Sequence, residues 1–154
     1  MSVRSVAGLG ALLVLLGSVA CGSSSSSSST TSPSTTTYTE TFSGTVIQGT
    51  TATTPDIGPS DSPHHFTVHQ PGNIDATLTD IQPLNTITLG LGLGVWDATG
   101  LTCTLATQVT SNSAKINLTL AASVSVAGEL CVGVFDVGNI GDSPIAYTVV
   151  INHT

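Results

Sequence analysis

Three groups of residues in this 154-residue chain are of types that carry chemistry. The first is the run Pro63-His64-His65-Phe66-Thr67-Val68-His69. On a helix, His65 and His69 would share one face, as zinc ligands do, and such a pair would be the start of a metal-dependent hydrolase. Pro63 and Pro71-Gly72, however, bracket a stretch too short for a helix. On a strand, His65 and His69 share a face but stand about 13 Å apart, too far for one ion, and His64 points the other way. The histidines therefore read as solvated strand residues, and the hydrolase built on His64–His69 is kept as the competing reading.

The second group is Asp97, Asp136, Asn139 and Asp142, all in predicted loops. Phe135-Asp136-Val137-Gly138-Asn139-Ile140-Gly141-Asp142 places hard oxygen donors in a glycine-bearing turn, which is the chemistry calcium prefers. Asp and Asn are also ordinary turn residues, so a plain turn competes with a calcium site. The third group is the cysteines. Cys103 and Cys131 lie 28 positions apart on predicted strands, and in an oxidising compartment they pair as a disulfide; the alternative is two buried thiols. No nucleophile stands in a recognisable setting: serines concentrate in Ser23–Ser29, and no G-x-S-x-G occurs. Trp96, the single tryptophan, reads as a core or sheet-edge ring rather than a stacking platform. No catalytic residue is assigned, and the chain reads as a non-enzyme.

The elements that must position these residues begin after an address. One cation, Arg4, precedes the apolar stretch Val6–Leu16, and Gly17, Ser18 and Ala20 lead to Cys21. That is the layout of a secretory signal, too short to span a bilayer. Ser18-Val19-Ala20-Cys21 resembles the lipobox of bacterial lipoproteins at Val19, Ala20 and Cys21, with Ser18 where that motif usually carries Leu. The resemblance implies acylation of Cys21 and a membrane anchor; ordinary signal cleavage would leave Cys21 free or paired between chains. Residues 22–37 hold no apolar side chain and read as a flexible Ser/Thr linker. The organisation is thus a signal peptide at 1–20, an anchor and linker at 21–37, and one domain at 38–154.

From Tyr38 the pattern turns to period two. Expected strands centre on Phe42–Val46, Phe66–Val68, Ile74–Leu78, Ile87–Val95, Leu105–Val109, Ile116–Leu120, Leu130–Val137 and Ile145–Ile151. Thr50–Pro63 is expected as a loop and Ser111–Ala114 as the turn between the fifth and sixth strands. The almost wholly apolar Leu130–Val137 is expected at the centre of a sheet. No window carries a capped 3.6-residue apolar face, so about eight short strands argue for an all-β antiparallel sandwich. In Leu89-Gly90-Leu91-Gly92-Leu93-Gly94-Val95 the glycines alternate strictly, leaving one bare face on which a backbone or a bulky ring packs closely.

Charged residues are only 7% of the chain, about a quarter of the usual share, so Thr, Ser, Asn and Gly must keep it in solution. Lys plus Arg number two against nine acids, a formal charge of −7. Nucleic acid is excluded as a partner, because phosphate binding needs clustered cations. The remaining partner classes are the membrane, through Cys21, and an unidentified protein or polysaccharide.

Two segments resemble the bacterial pre-peptidase C-terminal domain family. One is Phe66-Thr67-Val68 with its turn and Ile74–Leu78, and the other is Ala127-Gly128-Glu129-Leu130-Cys131-Val132-Gly133-Val134. The closing Ala146-Tyr147-Thr148-Val149-Val150-Ile151 is similar to that family's last strand. The resemblance implies a jelly-roll-like sandwich found on exported proteins, non-catalytic, and in some members binding substrate or calcium. Together these readings describe a lipid-anchored envelope lipoprotein, periplasmic or at the cell surface, with a self-assembling envelope subunit as a further alternative.

Overall fold

The structure, a computed structural model, describes residues 35–49, 56–57 and 63–154. The expected signal peptide, Cys21 and nearly all of the expected linker lie outside the described residues. The described chain is all β, with nine strands: β1 Tyr38–Val46, β2 Asp56–Ile57, β3 His64–Val68, β4 Gly72–Gln82, β5 Leu89–Asp97, β6 Thr102–Ala114, β7 Thr119–Val124, β8 Gly128–Phe135 and β9 Ile145–His153. They form two antiparallel sheets, β1-β9-β4-β7 and β2-β6-β5-β8-β3.

The pairing is nested. β1 pairs with β9, β3 with β8, β4 with β7 and β5 with β6, while β9–β4 and β5–β8 join these ribbons sideways. A long antiparallel ribbon rolled on itself in this way is a jelly roll, the sandwich class expected from the strand pattern. β8 lies between β5 and β3, so the most apolar segment is indeed interior to its sheet.

Period two decides which side chains meet between the sheets. In β9, Ile145, Tyr147, Val149, Ile151 and His153 are buried while Ala146 is exposed. In β4 the register shifts between Leu78 and Asp80, and this bulge resets the alternation so that both Leu78 and Ile81 face inward. Each such aliphatic side chain taken out of water stabilises the fold by about 1.5–3 kcal/mol. The outer face of the four-stranded sheet is covered instead by small hydroxyl and amide groups bonded to one another. Thr39 Oγ1 donates to Asn152 Oδ1 at 2.7 Å, and the hydroxyls of Ser43 and Thr148, and of Thr77 and Thr119, pair at 3.0 and 2.8 Å.

The structure corrects two expectations. Ser111–Ala114 is not a turn: β6 runs through it, Ser111 pairs with Leu91 and Ala114 with Leu89, and Ala114 is fully buried. The chain reverses at Lys115–Leu118, where Asn117 adopts φ 71°, a left-handed conformation that asparagine tolerates. Asn117 N–H donates to Leu78 O at 2.7 Å, which ties this turn to β4. Within the expected Thr50–Pro63 loop, Asp56–Ile57 forms the short β2, pairing with Thr104 and Cys103.

Candidate functional site

The glycine face and the cysteines form one local structure on the outer side of the five-stranded sheet. Gly92 pairs with Thr110 but Gly94 with Leu105, so residues 106–109 of β6 bulge and the strand folds over β5. Gly94 then lies flush against the backbone of Thr104 and Leu105, and the Phe135 ring lies flush against Gly90. β6 and β8, the two neighbours of β5, are joined by the Cys103–Cys131 disulfide, with Cα atoms 5.8 Å apart. Leu105 and Phe135 complete this buried cluster, with Trp96 and Val137 packed against it. Trp96 therefore belongs to the packing around the disulfide, and His65 stacks on it at 4.9 Å between ring centroids and 14° between planes.

The other histidines meet β1, at the seam between the sheets. His64 is not a solvated residue: it shares the inward parity of Phe66 and Val68 and is half-buried. Its ring stacks on Phe42 at 5.0 Å and 12°, and its Nε2 lies 3.1 Å from the Tyr147 hydroxyl. Burial lowers the His64 pKa, and burial pushes the Tyr147 hydroxyl up to about 12. Both shifts favour the uncharged forms of this hydrogen-bonded, packed pair. His69 packs on Tyr38 at 4.8 Å. His65 and His69 thus have separate aromatic partners, Trp96 and Tyr38. Among the described residues, no three His, Cys, Asp or Glu side chains converge as metal ligands.

Sequence reasoning passed over the fourth histidine. His153 is 1% exposed, its Nε2 lies 2.9 Å from Glu40 Oε1, and its ring approaches Tyr38 at 5.6 Å and Phe66 at 5.3 Å. The signal was available in the pattern, because His153 continues the inward parity of Ile145, Tyr147, Val149 and Ile151. Tyr38, Glu40 and Phe42, on one face of β1, are each met by a histidine.

The four candidate calcium ligands do not gather. Val95 pairs with Leu130 and Gly90 with Phe135, so Asp97 lies where β8 begins and Asp136 where β8 ends. Along the strand that separation is roughly 20 Å or more. Asp97 is therefore removed from the set: its Oδ1 accepts the Thr99 N–H at 2.8 Å within its own turn. Asp136, Asn139 and Asp142 share one loop, but the Asp136 carboxylate is already engaged. Its Oδ1 accepts the N–H groups of Gly138, Asn139 and Ile140 at 2.8, 3.2 and 3.3 Å, and its Oδ2 accepts that of Gly49 at 3.1 Å. Burial alone would raise its pKa, but these four backbone donors outweigh that and the net shift is downward. The group that looked like a cation ligand is itself the anion in a nest of backbone amides, and it joins the loop after β1 to the loop after β8. Asn139 and Asp142 are exposed.

Among the described residues, His64, Tyr147, Glu40 and His153 are thus engaged in packing, Cys103 and Cys131 in a disulfide, and Asp136 in holding loops. Comparison of the chain with protein-family models and with curated proteins returns no match.

Proposed function

We propose that this chain is an exported, lipid-anchored jelly-roll lipoprotein of the bacterial cell envelope, periplasmic or surface-exposed, that acts as a non-catalytic binding or structural module. The observation that carries this reading is Val19-Ala20-Cys21 between the apolar Val6–Leu16 and the serine tract. An anchor cysteine followed at once by a polar tether holds a domain clear of a membrane. The buried disulfide supports the same address, because such bonds persist in oxidising compartments. The engagement of His64, Tyr147, His153, Glu40 and Asp136 with neighbours inside the fold supports a module over an enzyme. The resemblance to pre-peptidase C-terminal domains, which accompany exported proteins, points in the same direction. The partner class is an envelope protein or polysaccharide.

Intact mass spectrometry of membrane-extracted protein tests the reading. A mature chain that begins at a diacylated Cys21, and a Cys21→Ser variant that leaves the membrane fraction, are the expected results. A mature chain that starts elsewhere with unmodified Cys21 would overturn it.

A further inference from the structure

The sandwich has four outer strands, and three of them carry devices that discourage pairing with another chain. β2 is two residues long, and β3 is five residues between Pro63 and Pro71. β1 carries the charged Glu40 on its inward face, held by His153. Short edges, prolines and inward charges are the usual means of blocking edge-to-edge pairing. β7, one residue longer than β3, has neither a flanking proline nor an inward charge. It is Thr-Leu-Ala-Ala-Ser-Val, six residues with no charge and no proline, and it pairs with β4 alone.

Charge is distributed unevenly about this strand. Lys115, the single Lys or Arg among the described residues, stands in the turn that enters β7. Beyond the other end of β7, residues 123–130 with Val95 and Trp96 enclose a mostly apolar depression of about 590 Å³. Val126 and Val95 in it are 71% and 61% exposed. Its acid is Glu129, whose Oε1 accepts the Thr67 hydroxyl at 2.7 Å, and Asp97 closes β5 at the same end. One end of β7 is therefore cationic, and the other is apolar with an acidic rim.

We propose that β7 is the pairing edge for a second copy of this chain, joined antiparallel about a two-fold axis at Ala121. The axis places Thr119 opposite Ser123 of the second copy. It also carries the Lys115–Leu118 turn of each copy to the apolar depression of the other. The ammonium group then meets the Glu129 rim while its methylene stem covers Val126, and the contact occurs twice because a two-fold interface is self-complementary. The two four-stranded sheets become one eight-stranded sheet, and the β7 edge of each copy is covered. A net charge of −7 opposes self-association in general, which is why the contact centres on an uncharged strand and uses the sole available cation.

The test uses the full chain with Cys21→Ser, so that neither lipid nor an intermolecular disulfide contributes. Light scattering and sedimentation should give a two-chain mass that falls to one chain on dilution. Thr119→Lys with Ser123→Lys places like charges opposite each other on exposed positions and should abolish the dimer while the β-type circular dichroism of the folded chain is retained. Lys115→Glu should weaken association about tenfold, equivalent to about 1.4 kcal/mol, and Lys115→Glu with Glu129→Lys should restore it. A one-chain mass at every concentration overturns the proposal. So does a dimer that persists in the double-lysine variant or that Lys115→Glu leaves unchanged.

Discussion

Replacing Gly94 by alanine should destabilise the domain through a contact that cannot relax. A methyl group there would run into the Thr104 carbonyl and the Leu105 Cα, both backbone atoms of β6. Adding carbon to a closed site costs about 1–3 kcal/mol, and a backbone neighbour puts Gly94 at the upper end. The stiffer unfolded chain returns about 0.4–1 kcal/mol, which leaves a net loss of about 2 kcal/mol. Unfolding entropy of about 2.1 cal/mol/K per residue over a domain of ~117 residues converts this to a melting point lower by about 8 °C. Gly92 is the graded comparison. Its methyl would lie 2.8 Å from Leu105 Cδ1 and 2.9 Å from Thr110 Oγ1, side-chain atoms that can shift by tenths of an ångström where backbone cannot. Gly92→Ala should therefore stay within about 3 °C of the parent. Gly128 has nothing within 4 Å of an added methyl, and Gly128→Ala should raise the melting point by about 2 °C. Thermal melts of the three variants by circular dichroism decide the matter. A Gly94→Ala protein that melts within about 2 °C of the parent, or a reversed order, would refute the packing account.

Three further outcomes follow from the seam, the loops and the bridge. Because burial holds His64 below its ordinary value of 6.5, the unfolded chain takes up that proton first; its contribution is complete above pH 6.5 and is lost as pH falls through the folded value. His64→Phe should flatten that part of a plot of melting temperature against pH, and an unchanged slope would exclude His64 as its source. Asp136→Ala strips the acceptor from four backbone N–H groups and should cost about 2–3 kcal/mol in urea denaturation. That loss should be equal in calcium and in chelator, and since the Asp136 pKa is lowered, its contribution is present above pH 3.8 and lost as pH falls through the folded value. Reduction of Cys103–Cys131, which spans 28 positions, should remove roughly 3–4 kcal/mol on the chain-entropy account. Cys103→Ala should be about as unstable as the double variant, and free thiols in protein isolated under alkylation would contradict the bond.

Much of the fold was legible because alternation states which face of a strand each residue occupies. Ile145 to Ile151, the apolar β8 and the bare face of Gly90, Gly92 and Gly94 could all be read locally, and the structure places a ring and a backbone on that face. His153 could have been read the same way. The Ser111–Ala114 turn could not, since two serines and an asparagine in sequence suggest a turn whether or not a neighbouring strand supplies partners. β5 supplies them, and the reversal moves to Asn117.

The sequence alone determined the strand class, the facing of most side chains and the cysteine pair, because these depend on residue type and on neighbours one or two positions away. Only the tertiary structure decided which strands lie side by side. The nested pairing set β5 and β8 antiparallel, which sent Asp97 and Asp136 to opposite ends and dissolved the four-ligand calcium set. It also brought Glu40 to His153 and Phe42 to His64 across more than a hundred and more than twenty positions. Local pattern carries a side chain's direction but not its partner, and partners are chosen by a register that exists only when both strands are in place.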